Sequence, residues 1–122
     1  MSKKIIVADD APIIRLMLKD ILTDAGYEVV KECENGRHAF ESYKELRPDL
    51  VTMDIVMPEM DGIQALEQIL KFDQNAKVVM VTAVDQREFL MKAIRLGATD
   101  YIVKPFENDR VISAVKKALG KE

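Results

Sequence analysis

The sequence predicts an α/β fold, a doubly wound five-stranded parallel sheet with helices on both faces, and three observations carry that prediction. Short β-branched runs alternate five times with longer segments of helical periodicity. Several of those runs are apolar without alternation, as strands covered on both faces must be. The connections are short, and right-handed crossovers between parallel strands then place helices on both sides of the sheet. The pattern by itself leaves several strand orders open. At 122 residues the chain has the size of one domain, and folding should bury roughly two-thirds of its extended surface, enough for one core. No linker, repeat or composition break divides it, so 1–122 reads as a single domain.

The strand runs are Ile5-Ile6-Val7-Ala8, Val29-Val30, Leu50-Val51-Thr52-Met53, Val78-Val79-Met80-Val81 and Tyr101-Ile102-Val103. In the first helical segment Ile13, Ile14, Met17, Ile21 and Leu22 form an apolar stripe, with Arg15, Lys19 and Asp20 toward water. Gly26 is placed to end that helix in a left-handed conformation. Ala39, Phe40 and Tyr43 mark one side of a short second helix, and Ile63, Leu66, Ile69 and Leu70 the third. Asp61 with Gln64 three residues on is an Asp version of the capping box, and Asp85 with Glu88 repeats the device before the fourth helix. That helix buries some of Phe89, Leu90, Ala93 and Ile94 and stops near Gly97. Val111, Ile112, Val115 and Leu119 mark the fifth.

Composition narrows the function. With 18 Lys+Arg against 21 Asp+Glu the net charge is −3, without the basic excess of a nucleic-acid binder. The single cysteine, Cys33, permits neither an internal disulfide nor a four-ligand zinc cluster and fits a reducing compartment. The Ile5–Asp9 run is too short for a signal peptide, and no stretch approaches 18 apolar residues. The expectation is a cytoplasmic protein with neither nucleic acid nor membrane as partner.

The functional signal is positional. Asp9 and Asp10 follow the first strand, Asp54 ends the third, Thr82 the fourth and Lys104 the fifth. Parallel strands put their C-terminal ends on one edge, where ligands of open α/β sheets bind. The second strand's end, near Cys33-Glu34-Asn35, offers no comparable group, which suits a sheet with that strand outermost. Two carboxylates about 4 Å apart cost about 4 kcal/mol at an effective dielectric of 20. A hard divalent cation relieves this, and Mg²⁺ keeps enough open coordination for a phosphoryl oxygen. Metal, Lys104 and the Thr82 hydroxyl could together hold a phosphoryl group on one Asp. The bland alternative is that Asp after a strand caps the next helix, and Asp10 followed by Pro12 suits that.

The stretches VADDAPIIRLMLKDIL, NGRHAFESYKELRPDLVTMDIVMPEMDGI, VTA and GATDYIVKPF are spread along the chain from Val7 to Phe106. On them it resembles the response-regulator receiver domains, and most of all the single-domain chemotaxis receivers. The resemblance implies strand order 2-1-3-4-5. It implies that Asp54 is the nucleophile taking phosphoryl from a histidine kinase, with slow autodephosphorylation as the chain's other chemistry. Mg²⁺, with Mn²⁺ as a substitute, would be held by Asp9, Asp10, Asp54 and the backbone carbonyl of Val56. Lys104 would pair with Asp54 or the phosphoryl oxygens, Thr82 would be drawn toward the phosphoryl, and Tyr101 would be the switch aromatic. The Lys104–Pro105 bond would be cis. Lys92, Arg95, Tyr101 and Lys116 would belong to the readout face. Val56 and Val84, two residues past Asp54 and Thr82, carry no group to orient water, so hydrolysis should be slow.

The output implied is protein–protein, a flagellar motor switch protein or another phosphorelay protein, with a phosphatase as a further partner and a monomer as the resting form. A relay intermediate, a receiver fragment of a transcriptional regulator, a small-molecule metal phosphatase and a phosphorylation-independent module are the competing functions. No G-x-G-x-x-G or P-loop is present for a dinucleotide or nucleotide site. His38 reads as a solvated side chain, Cys33 as a small, partly buried thiol, and Met57 and Met60 as loop packing or partner contacts.

Overall fold

A computed structural model describes residues 2–120; the expected span of 1–122 also includes Met1, Lys121 and Glu122, which lie outside the described residues. Five strands and five helices alternate: β1 (Lys4–Ala8), α1 (Pro12–Asp24), β2 (Glu28–Cys33), α2 (Gly36–Leu46), β3 (Leu50–Asp54), α3 (Gly62–Phe72), β4 (Val78–Ala83), a 3₁₀ turn (Val84–Gln86), α4 (Arg87–Leu96), β5 (Asp100–Lys104) and α5 (Asn108–Leu119). The sheet is parallel throughout, in the order β2-β1-β3-β4-β5. β2 is an edge strand, and its exposed Glu28, Lys31 and Glu32 suit an edge that must not recruit another chain. Among the described residues no helix is long and apolar enough to cross a membrane.

The strand pleat sorts the core into two layers. Ile6, Ala8, Val51, Met53, Val78 and Met80 pack with Tyr43, Leu66, Ile69 and Ala93 from α2, α3 and α4. Ile5, Val7, Leu50, Val79, Val81 and Ile102 pack with Leu18, Leu22, Val111 and Val115 from α1 and α5. Alternation puts Asp9, Asp54 and Lys104 in line with the second set, while Thr82 continues the first.

Local chemistry explains the helix ends. Gly26 sits at φ +96°; its N–H donates to the Thr23 carbonyl and that of Tyr27 to Leu22, a Schellman closure of α1. Asp61 accepts from the Gln64 N–H at 2.8 Å while the Gln64 side chain accepts from the Asp61 N–H at 3.0 Å, so the expected capping box forms. Gly62 follows, and a Cβ there would overlap the Asp54 carbonyl. Only glycine lets the start of α3 close on the end of β3, where its N–H donates to the Ile55 carbonyl at 2.7 Å.

Two expectations are corrected. The α1 stripe is rotated: Leu18, Ile21 and Leu22 are buried, whereas Ile13 and Met17 are 61% and 41% exposed, and Arg15 is half-buried. Apolar residues at 13, 14, 16, 17 and 18 surround most of the first turns, so periodicity alone does not set the phase. The Asp85–Glu88 box does not form. Asp85 lies inside the 3₁₀ turn, and α4 starts at Arg87 with Gln86 as its N-cap.

Candidate metal and phosphoryl site

Asp9 is the innermost acid. Its N–H extends the β1–β2 ladder to the Cys33 carbonyl at 2.9 Å, and its side chain is fully buried. Oδ1 accepts from the Ala11 N–H at 2.9 Å, and its backbone carbonyl accepts from the Arg15 guanidinium at 2.6 Å. Arg15 also lies 3.6 Å from Glu32, as does Lys19, so α1 is tied to both β1 and β2 beside the acid. Asp10 is exposed. Ala11, not Asp10, is the N-cap of α1, and no side chain caps that helix. The capping alternative for Asp10 therefore falls.

Asp54 ends β3 and is 4% exposed. From β5 the Lys104 ammonium donates to Asp54 Oδ1 at 3.2 Å and lies 3.2 Å from Asp9 Oδ2. One oxygen from each of Asp9, Asp10 and Asp54 falls within 4.8 Å of the others. A single ammonium against three carboxylates leaves the cluster anionic. Burial, then the Asp9 charge, push the Asp54 carboxyl up to about 6, against the opposing pull of Lys104. Burial works against the Lys104 charge, but Asp54 and Asp9 outweigh it and hold the ammonium above its usual range.

Asp9 Oδ2 tests whether a cation fits. It is buried and, apart from the Lys104 ion pair, has no partner in hydrogen-bond geometry. A buried anionic oxygen left in that condition is costly. Three converging carboxylate oxygens with one unsatisfied are the donor set of a hard divalent ion such as Mg²⁺ or Mn²⁺. The cluster can coordinate such an ion.

Thr82 stands at the same sheet edge but outside this cluster. Strand register pairs Asp54 with Val81 and Lys104 with Ala83, leaving Thr82 opposite Val103. It is 1% exposed, and its hydroxyl donates toward the Ala83 carbonyl and Gln86 Oε1, each at 3.2 Å. Tyr101 faces outward, 39% exposed; Arg110 donates to its carbonyl at 2.6 Å and lies over its ring. Lys92, Arg95 and Lys116 are exposed as well. Val56 and Val84 flank the edge, both exposed, and the Lys104–Pro105 bond is cis.

The bland readings settle case by case. Cys33 is fully buried, its thiol donates to Ser42 at 3.6 Å, and burial pushes its pKa up. Met57 is buried and Met60 packs on the same core layer, so both belong to packing. His38 is half-buried on α2. Sequence reasoning missed Arg15 and Gln86. The apolar stripe read from the sequence puts Arg15 toward water because it takes the wrong helix phase, and Gln86 gives no signal except its position four residues after Thr82.

Residues 5–116 match the family described as response regulator receiver domain. The chain is 54% identical over 117 residues to the chemotaxis protein CheY of Thermotoga maritima, covering 96% of this chain and 98% of that one. The crystal structure of a CheX–CheY–BeF₃–Mg²⁺ complex from Borrelia burgdorferi superposes with a TM-score of 0.92 at 32% identity, over 98% of this chain and 90% of that one. NtrX from Brucella abortus superposes at 0.91 with 35% identity over 98% of this chain, which spans 27% of the NtrX chain. Fold, acidic cluster and sequence agree over nearly the whole described length, and the chain belongs to the response regulator receiver domains, of the CheY type.

Proposed function

We propose that the chain is a phosphorylation-controlled binding switch in which Asp54 accepts a phosphoryl group from the phosphohistidine of a histidine kinase. The observation that carries this is the Lys104 ammonium set 3.2 Å from both Asp54 and Asp9 beside an unsatisfied carboxylate oxygen. Asp9, Asp10, Asp54 and the Val56 carbonyl would hold Mg²⁺, or Mn²⁺ in its place. When bound, the ion supplies positive charge to the carboxylates and to the transferred phosphoryl oxygens.

The protein's own residues do the rest. Asp54 attacks phosphorus as the bond to the histidine nitrogen breaks, and Lys104 stabilises charge on the equatorial oxygens. Its raised pKa keeps Lys104 cationic throughout the physiological range. The phosphoryl then places new charge and strong acceptors near Thr82 and Lys104. Thr82 turns toward it, and Tyr101 moves inward. Contacts that differ between the two states bias the exposed face of α4, β5 and α5.

The output proposed is chemotactic: a monomer in the cytoplasm, activated by a kinase, binding a flagellar motor switch protein and reset by hydrolysis or a phosphatase. Likeness to chemotaxis proteins over almost their full length supports it. So does the Borrelia burgdorferi relative, whose complex contains Mg²⁺, the phosphoryl mimic BeF₃ and a protein partner. The test is binding to a flagellar switch protein with and without BeF₃⁻ and Mg²⁺. An affinity gain of tenfold or more is about 1.4 kcal/mol or more and supports the motor output. No gain, with phosphoryl passing instead to a histidine phosphotransfer protein, would make the chain a relay intermediate. Phosphoryl-dependent activity only with a fused DNA-binding segment would make it the receiver of a longer regulator.

Val56 sets a second expectation. It lies two residues past Asp54, is 53% exposed, and its side chain can neither donate to nor accept from a water aligned for attack. V56N should shorten the acyl-phosphate lifetime severalfold, measured as loss of phosphoryl mass with time. Equal lifetimes would remove Val56 from the account of slow hydrolysis.

A further inference from the structure

We propose that Gln86 is a positioning residue that holds Thr82 in the resting conformation, so that phosphoryl binding has to break a specific carboxamide–hydroxyl bond. This rests on the phosphoryl switch proposed above. The Ala83 N–H lies 2.8 Å from Gln86 Oε1, and only an oxygen can accept there, so the orientation of the carboxamide is settled. Thr82 Oγ1 is 3.2 Å from the same oxygen. That oxygen carries no proton, so Thr82 must be the donor.

A hydroxyl has one proton to give. At rest that proton is directed at Gln86 Oε1 and at the Ala83 carbonyl, each 3.2 Å away, so it is not given to an acceptor on Asp54, and Gln86 is the side-chain part of that hold. Thr82 is 1% exposed, so water does not readily replace Gln86 as its partner. Gln86 is also the N-cap of α4, yet its side chain makes no capping bond to that helix. The carboxamide instead reaches back over the 3₁₀ turn to the end of β4. A neutral amide is a weaker acceptor than a phosphoryl oxygen, so the phosphorylated state wins the competition. Releasing Gln86 frees two adjacent donors and the first residue before α4 in one step. The bond therefore links the state of Asp54 to the helix that borders the exposed face.

The test compares wild type, Q86M, Q86E and T82A, together with the double variant Q86M/T82A. BeF₃⁻ is titrated calorimetrically in Mg²⁺, and amide hydrogen exchange at Ala83 is followed in metal-free protein. Losing one neutral hydrogen bond corresponds to roughly a three- to tenfold change in an equilibrium constant. Q86M should therefore bind BeF₃⁻ roughly three- to tenfold more tightly than wild type, and its Ala83 amide should exchange faster. Q86E retains an acceptor oxygen and should show no gain. In the T82A background the Q86M gain should vanish. Unchanged affinity in Q86M, or the same gain with and without Thr82, would overturn the proposal and leave Gln86 with a loop-packing role. Wild type that fails to bind BeF₃⁻ with Mg²⁺ would bring down the phosphoryl switch itself, and the latch with it.

Discussion

With a small phosphodonor and Mg²⁺, the wild-type chain should gain one phosphoryl mass and D54N should gain none. The three carboxylates are not equivalent as nucleophiles. Asp9 is fully buried, one oxygen is committed to the Ala11 N–H and the other faces Lys104, so a donor cannot reach it in line. Asp10 is exposed and makes no contact with the ammonium that would steady the transferred charge. Asp54 combines slight access with a hydrogen bond to Lys104. Chelating the metal should abolish labelling, since an anionic cluster repels an anionic donor unless the charge is offset. Intact-mass measurement reads all three conditions directly. A D54N chain labelled as well as wild type would move the acceptor elsewhere. K104A should retain its fold because only part of its side chain is enclosed, but labelled K104A should not gain affinity for its partner.

Much of this site could be read before any coordinates, for a topological reason. In a parallel sheet every strand points the same way, so a polar residue closing an apolar run must lie on the ligand edge. Asp9, Asp54 and Lys104 follow directly, and alternation puts them on one side. Asp61 and Gln64 were equally legible, because a capping box depends only on local spacing. What stayed hidden depends on rotation and on loop path. The α1 segment is apolar nearly all round at its start, so nothing local showed that Arg15 turns inward to the Asp9 carbonyl. The 3₁₀ turn moves the start of α4 two residues past Asp85 and replaces one capping arrangement with another, in which Gln86 serves Thr82. Thr82 was placed at the right edge, but the sequence does not tell which neighbour receives its proton.

The acidic cluster should also cost the metal-free protein stability in a way that pH reveals. Burial and the Asp9 charge raise the folded carboxyl of Asp54 from its ordinary 3.8 to about 6. Between those values the folded state binds the proton more tightly than the unfolded state, so stability from this group falls as pH rises through about 4 to 6. Above that window Asp54 is ionised in both states and the cost is complete. Asparagine carries no charge at any of these pH values. In EDTA, D54N should therefore be more stable than wild type at pH 7 by on the order of 1–3 kcal/mol, with the advantage fading below pH 5. Mg²⁺ should reverse the trend, because it stabilises the folded state that keeps all three carboxylates in proportion to its binding. Urea unfolding of both proteins at pH 4.5 and 7, with EDTA and with Mg²⁺, gives the comparison. An advantage for D54N that is the same at both pH values, or the same with and without metal, would mean that asparagine merely packs better there and that the carboxylates are not in electrostatic conflict.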